Sequence, residues 1–288
     1  MESLDLLAQT GWAIRRQHFP PAIRFAYPGK TKAVSVTGDR CELNCAHCGG
    51  HYLKGMKALD AIPQDGGFTE ARSLLISGGC TRDGRVPVAE HIDRISAIKK
   101  DLKCNVHVGL IEEADIRRIA LIADKVSFDF VGDDATIREV FGTERTVDDY
   151  IACYRLLKNY CPVVPHICIG LHGGQIRGEY QAIRHLKALG VSSVTFIVFT
   201  PTRGTAFAGC KPPAIRDVLE VLADARKELP GTPLQLGCMR PGGRYRSELD
   251  GWAVSCGVNG IVNPAPEAVR LAKRLGLTIE RGEECCVL

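Results

Sequence analysis

The sequence predicts an α/β protein built as a (β/α)8 barrel, complete or nearly complete. Three observations predict it. Eight short, β-branched runs alternate with amphipathic helical segments. Several of the runs are apolar throughout, as strands covered on both faces of a parallel sheet must be. The 288 residues match the roughly 250 that such a barrel needs as one unit.

The elements follow in order. A helix is expected over 3–18, a break at Pro20-Pro21 and a turn at Tyr27-Pro28-Gly29. Residues 1–32 are thus an N-terminal extension and 33–288 the TIM-type barrel. The strands are AVSVT (33–37), SLLIS (73–77), NVHVGL (105–110), KVSFDF (125–130), VVPHICIG (163–170), SVTFIVF (193–199), PLQLG (233–237) and NGIVN (259–263). Between them, 89–102, 113–123, 147–160, 179–190 and 214–229 carry apolar residues at helical spacing. Gly190 is placed as a helix C-cap.

Apolar residues make up 45% of the chain, enough for a large core, and the net charge of +4 is mild. No basic run marks a nucleic-acid surface. No apolar run reaches the ~18 residues of a membrane span, and the N-terminus lacks the apolar stretch of a signal peptide. A cytoplasmic protein is expected, with neither nucleic acid nor membrane as partner. Thirteen cysteines, an odd and unevenly spaced set, suit thiolate metal ligands better than a disulfide framework.

Three of those cysteines stand in CELNCAHC, at Cys41, Cys45 and Cys48. A structural zinc wants four Cys/His ligands, with His47 or His51 available, but no second knuckle follows. Three thiolates can instead hold a 4Fe–4S cluster and leave one iron open for a further ligand. On a barrel, sites gather at the C-terminal ends of the strands. The CELNCAHC loop, SGGC (77–80), Asp129, GLHGG (170–174), TPTRGTAFAGC (200–210) and CMRPGGR (238–244) all fall there.

This C-x3-C-x2-C loop after the first barrel strand resembles the radical S-adenosylmethionine superfamily. The resemblance implies that Cys41, Cys45 and Cys48 ligate a 4Fe–4S cluster whose free iron chelates S-adenosylmethionine. A 5′-deoxyadenosyl radical would then take hydrogen from an unactivated carbon. His47 stands where that family usually has an aromatic residue. Ser77, Gly78 and Gly79 resemble the segment that binds the amino group of S-adenosylmethionine, with Cys80 replacing its acid. Asp129 and Gly170 would face ribose and adenosine.

The C-terminal third, QLGCMRPGGRYRSELDGWAVSCGVNGIVNPAPEAVRLAKRLGL, is similar to the end of biotin synthase. With the terminal RGEECCVL, the chain looks more like the two-component lipoyl synthases, on the side that adds the second sulfur. The resemblance implies a sulfurtransferase acting on a (mercapto)octanoyl chain. An auxiliary 4Fe–4S cluster, the sulfur source, would be held by Cys210, Cys238 and Cys285 or Cys286, with the tail folded over the barrel mouth. It implies three partners: a lipoyl-carrier protein bearing octanoyl-lysine, a second radical S-adenosylmethionine component, and a ferredoxin or flavodoxin as low-potential electron donor. Phe196, Phe199 and Phe207 are candidates for an acyl slot, and Arg203 and Arg244 for anion contacts. The alternatives are biotin synthase, a mutase or lyase of the same superfamily, a non-catalytic electron carrier, and a zinc-stabilised module.

Overall fold

The computed structural model describes residues 3–63 and 67–288. Helix α1 (Leu4–His18) starts at Ser3, whose side chain accepts from the Leu6 amide at 3.2 Å. The strands are β1 (Ala22–Ala26), β2 (Thr31–Ser35), β3 (Lys57–Ala58), β4 (Ser73–Ser77), β5 (Lys103–His107), β6 (Lys125–Asp129), β7 (Val163–Ile169), β8 (Val194–Val198), β9 (Leu234–Leu236), β10 (Gly260–Val262) and β11 (Thr278–Gly282). The helices between them are α2 (Ile92–Lys99), α3 (Glu113–Ile119), α4 (Asp134–Thr136), α5 (Val147–Lys158), α6 (Glu179–Ala188), α7 (Ile215–Glu228), α8 (Gly243–Ser255) and α9 (Pro266–Arg274). All eight expected strands form, within a few residues of their expected ends. Gly190 follows α6 at φ +64°, as a helix stop requires.

The strands make one parallel sheet in the order β11-β1-β10-β9-β8-β7-β6-β5-β4-β2-β3. Eight of them, β2 and β4–β10, follow the barrel order, but the barrel does not close by strand pairing. The last barrel strand, β10, pairs with β1 instead of β2, and β11 adds outside β1. The (β/α)8 barrel, expected complete or nearly complete, thus takes the form of an open, eleven-stranded parallel sheet. Tyr27 N donates to Gly282 O (2.8 Å), extending the β1–β11 ladder, and across the seam Lys30 N, just before β2, donates to Glu283 O (2.9 Å).

The expected position of the tail is corrected. Strand β11 runs parallel to β1, and the chain leaves β1 through a short turn into the start of β2. The end of β11 therefore arrives at the beginnings of the neighbouring strands. Cys285 N donates to Thr31 Oγ1 at 2.8 Å, Arg72 pairs with Glu283 at 2.8 Å, and Lys103 with Glu284 at 3.0 Å. Thr31 and Lys103 open β2 and β5, and Arg72 precedes β4. The tail plugs the N-terminal end of the barrel and does not cover the mouth.

Alternation sorts the strand residues between two environments. Leu74, Ile76, Cys104, Val106, Val126, Phe128, Ile167, Ile169, Val194 and Phe196 are buried in the apolar layer between sheet and helices. Each such side chain contributes roughly 1.5–3 kcal/mol of transfer free energy. Their neighbours face the lumen, and on β4 to β8 that side mixes Ser73, Ser77, Asn105, His107, Ser127, Asp129, His166 and Thr195 with the apolar Leu75, Val164, Cys168 and Ile197.

Candidate functional site at the barrel mouth and lumen

The chain leaves β2 into the three-cysteine loop. Asn44 (φ +48°), Gly49 (φ +48°) and Gly50 (φ +71°) take left-handed conformations and curl it tightly. Cys45 O accepts from Cys48 N (3.1 Å) and Gly49 N (2.9 Å). The loop is pinned on both flanks. Ala46 N donates to Val140 O (2.8 Å), in a short π-helical stretch after α4, and Ala46 O accepts from Phe207 N (2.9 Å) after β8.

In this arrangement one ligand atom each of Cys45, His47 and Cys48 lies within 4.8 Å of the others. Cys45 and Cys48 share a hydrogen bond, and that bond is the main reason Cys48 falls to about 4 while Cys45 rises. The loop thus holds a thiolate at neutral pH before any cation arrives. His47 Nδ1 is buried without a partner, and its ring stands edge-on to Phe141 at 5.9 Å. Cys41 is at the loop's start, against the β4 loop. A Cβ on Gly79 would lie 2.0 Å from Arg40 O and 2.6 Å from Cys41 Cα, so only glycine fits there. Gly79 N donates to Thr37 Oγ1 (2.7 Å) and Glu42 N to Cys80 O (2.8 Å). Gly78 and Ser77 continue this contact into β4. Cys80 was not among the expected ligands. Burial first, then the Cys41 charge, pushes its thiol up to about 12, so it stays protonated beside the loop.

Asp129, at the end of β6, faces the lumen and is not alone. His107 Nε2 lies 3.4 Å from its Oδ2. Burial raises the Asp129 carboxyl, but the His107 charge and hydrogen bond, with the charges of His166 and His47, together outweigh it and bring the carboxyl to about 2. Asp129 in turn raises His107 against the lowering effect of burial. His166, on β7, is the third member, its ring 5.8 Å from that of His107. Sequence reading passed over both histidines as strand residues; alternation along β5 and β7 was the signal that puts them in the lumen. Gly170 ends β7 at φ +75°, and its N–H donates to Glu179 Oε1 at 2.6 Å, fixing the glycine turn.

The four remaining cysteines divide. Cys285 and Cys286 have their sulfurs 4.0 Å apart, and Cys285 Sγ is 3.6 Å from Asn105 Nδ2 on the lumen face of β5. Cys238 follows β9, is exposed, and interacts electrostatically with both tail thiols. Cys210 sits apart at the mouth. Its N–H donates to Phe207 O (3.0 Å), and its sulfur would be 3.3 Å from a Cβ on Gly173. Cys238 is within electrostatic range of the tail pair but, among the described residues, the three do not gather as Cys45, His47 and Cys48 do, and Cys210 lies by the glycine turn. Of the expected acyl-slot residues, Phe196 packs into the helix-side core, while Phe199 and Phe207 meet edge-to-face at 6.0 Å. Arg203 is exposed in the loop after β8, and Arg244 is exposed in the first turn of α8.

No family model and no curated protein matches the chain. Solved structures do. Methylornithine synthase (PylB) superposes with a TM-score of 0.68 at 14% identity, over 98% of this chain and 91% of that one. The FeFe-hydrogenase maturase HydG from Carboxydothermus hydrogenoformans gives 0.70 at 14% identity, over 97% and 73%. The fold is shared with both. HMG-CoA lyase from Brucella melitensis also matches, at 0.54 and 12% identity, over 91% and 93%. A barrel so widely shared does not decide chemistry. Among the described residues no helix is long and apolar enough to cross a membrane.

Proposed function

We propose that the chain is a radical S-adenosylmethionine enzyme that inserts sulfur into an unactivated carbon chain. The observation that supports this reading is the three-thiol mouth loop, Cys41, Cys45 and Cys48, together with a separate tail pair, Cys285 and Cys286, that lies in electrostatic range of Cys238. The first group fits a 4Fe–4S cluster by its donor set, its thiolate at neutral pH and the tight backing of Gly79. The second and Cys238 offer three further thiols, with Asn105 beside Cys285. When bound, the two groups would supply one-electron cleavage of S-adenosylmethionine and a source of sulfide.

The chain's own residues supply place and exclusion. The Gly79 and Gly170 turns let backbone approach a nucleoside closely. The seam bond and the tail close the N-terminal end, so the substrate arrives through the mouth and water has one way in. The substrate on this reading is a (mercapto)octanoyl chain on the lysine of a carrier protein. A second synthase component and a ferredoxin or flavodoxin would act with it, in the cytoplasm. The likeness of fold to methylornithine synthase and HydG supports an enzyme of this kind.

Iron and sulfide content after anaerobic reconstitution tests the reading. Wild type should hold about eight irons, the Cys41/Cys45/Cys48→Ala variant about four, and a chain lacking 283–288 also about four. Four falling to none in the triple variant would remove the sulfur source and leave a mutase or lyase. A second reading is favoured by one fact: His47, not Cys41, completes the tightest ligand trio. Zinc accepts such a Cys/His set. A colourless protein with one zinc, lost on Cys45→Ala, would establish it.

A further inference from the structure

Four consecutive strands place polar residues side by side on the lumen wall. Asp129 on β6 is in register with His166 on β7, His166 with Thr195 on β8, and Thr195 with Gln235 on β9. All four alternate with residues of the helix-side core, so all four belong to the lumen face. Beside this arc, Val164, two residues before His166 on β7, clusters with Ala26, Val262 and the tail residues Cys286 and Val287, so the tail already covers the apolar part of the lumen.

The arc has unused hydrogen-bonding capacity. His166 Nδ1 lies 3.1 Å from Val164 O, which can only accept, so that nitrogen carries the proton and Nε2 is left with a lone pair. Asp129, with its side chain 54% exposed, keeps further acceptor positions beyond the one that meets His107. The hydroxyl of Thr195 is fully buried and has no partner. A buried hydroxyl left unpaired is costly and rare, so a partner from outside the chain is expected. His107 already neutralises Asp129, and the arc itself carries no unpaired cation. A free carboxylate or phosphate therefore finds no counter-charge on it, whereas an S–H, O–H or N–H group meets acceptors.

We propose that Asp129, His166, Thr195 and Gln235 form a substrate subsite that receives a neutral hydrogen-bond donor carried near the reacting carbon. Resting on the sulfur-insertion reading, that donor is the thiol already present on a monothiolated acyl chain. His166 Nε2 accepts from the S–H. The subsite distinguishes a chain that has received one sulfur from one that has received none.

The test is calorimetric binding to the reconstituted holoenzyme, under anaerobic conditions. The probes are an octanoyl-lysyl peptide and its 8-mercaptooctanoyl counterpart. Wild type should prefer the thiol-bearing peptide about tenfold, the worth of one hydrogen bond. Thr195→Val, which keeps the side-chain shape, and His166→Leu should each bring the preference toward unity. Equal affinity in wild type overturns the subsite, as does a preference that survives both substitutions. The preference is read separately from the iron count. About eight irons with no preference removes the subsite alone; about four irons with a clear preference removes the sulfur-insertion reading and retains the subsite.

Discussion

Asp250→Ala should destabilise the protein by about 3–5 kcal/mol, the loss expected when a buried ion pair is broken from one side. Asp250 on α8 and Arg240 in the loop after β9 both have fully buried side chains. They meet in a two-pronged pair, Nε to Oδ1 at 2.7 Å and Nη2 to Oδ2 at 2.8 Å. Arg240 also donates to Val262 O (2.8 Å) and to Gly237 O, and Asp250 Oδ2 accepts from Ala265 N (2.8 Å) before α9. One pair therefore joins the loop that carries Cys238 to β10 and to the start of α9. Removing the carboxylate leaves a guanidinium without its counter-charge and an orphaned amide. Urea unfolding of the cluster-free protein, followed by fluorescence of Trp252 on the same helix, measures the loss. The double variant Arg240→Met/Asp250→Leu should recover most of it, because the penalty comes from the unpaired charge. A loss below about 1 kcal/mol for Asp250→Ala would refute the reasoning, as would a double variant no better than the single.

Gly79→Ala should cost the mouth group its iron, because the added methyl overlaps the backbone of residues 40 and 41; iron per chain should fall as in the Cys41/Cys45/Cys48→Ala variant. His166 should titrate near 4 in the folded protein, since burial and then the His107 charge disfavour its cation. Its unfolded value is higher, so the unfolded state takes the proton first. The stability it contributes is complete above about pH 6.5 and declines as the pH falls toward 4; imidazole proton shifts read the titration, and a value near 6.5 would contradict it. Lys103→Ala should change stability by less than about 1 kcal/mol, because Lys103 is more than half exposed where it meets Glu284.

The helix-side core was legible because it follows period: Ile92, Ile95 and Ile98 on α2, and alternate residues of β4 to β8, are apolar where the sheet needs them. The three-cysteine loop was legible because its chemistry is local to eight residues. What escaped was non-local. Strand β1 (AIRFA) has an arginine at its centre and reads as part of a linker; only pairing with β10 and β11 makes it a strand. The position of the tail depends on that pairing, since β11 has no reason to end at the start of β2 until β1 separates β10 from β2. The lumen histidines were missed for a related reason. A half-polar strand looks like a weak strand when the inner surface is expected to be apolar, and here polar groups of that surface pair with one another, Ser127 with Asn105 and Asp129 with His107.

The tail plug makes one more prediction, because it depends on few contacts. Val287 and Cys286 are buried against Ala26, Val164 and Val262, a cluster separate from the main core. Outside its own turn, the last residue is held by a hydrogen bond from Arg24 Nη2 to Leu288 O, at 2.6 Å. Cys286 is protected twice: it is 6% exposed, and its thiol is pushed up by the hydrogen bond to Cys285 and then by burial. Both protections require the tail to stay seated. Arg24→Ala removes a charge-assisted bond and should raise the rate of Cys286 alkylation in the cluster-free protein by about tenfold. Cys104 and Cys256, buried in the main core, should keep their rates. A rise at all three would mean that the substitution loosens the barrel as a whole. No rise at Cys286 would mean that the small apolar cluster and the contacts to Lys30, Thr31, Arg72 and Lys103 hold the plug without Arg24.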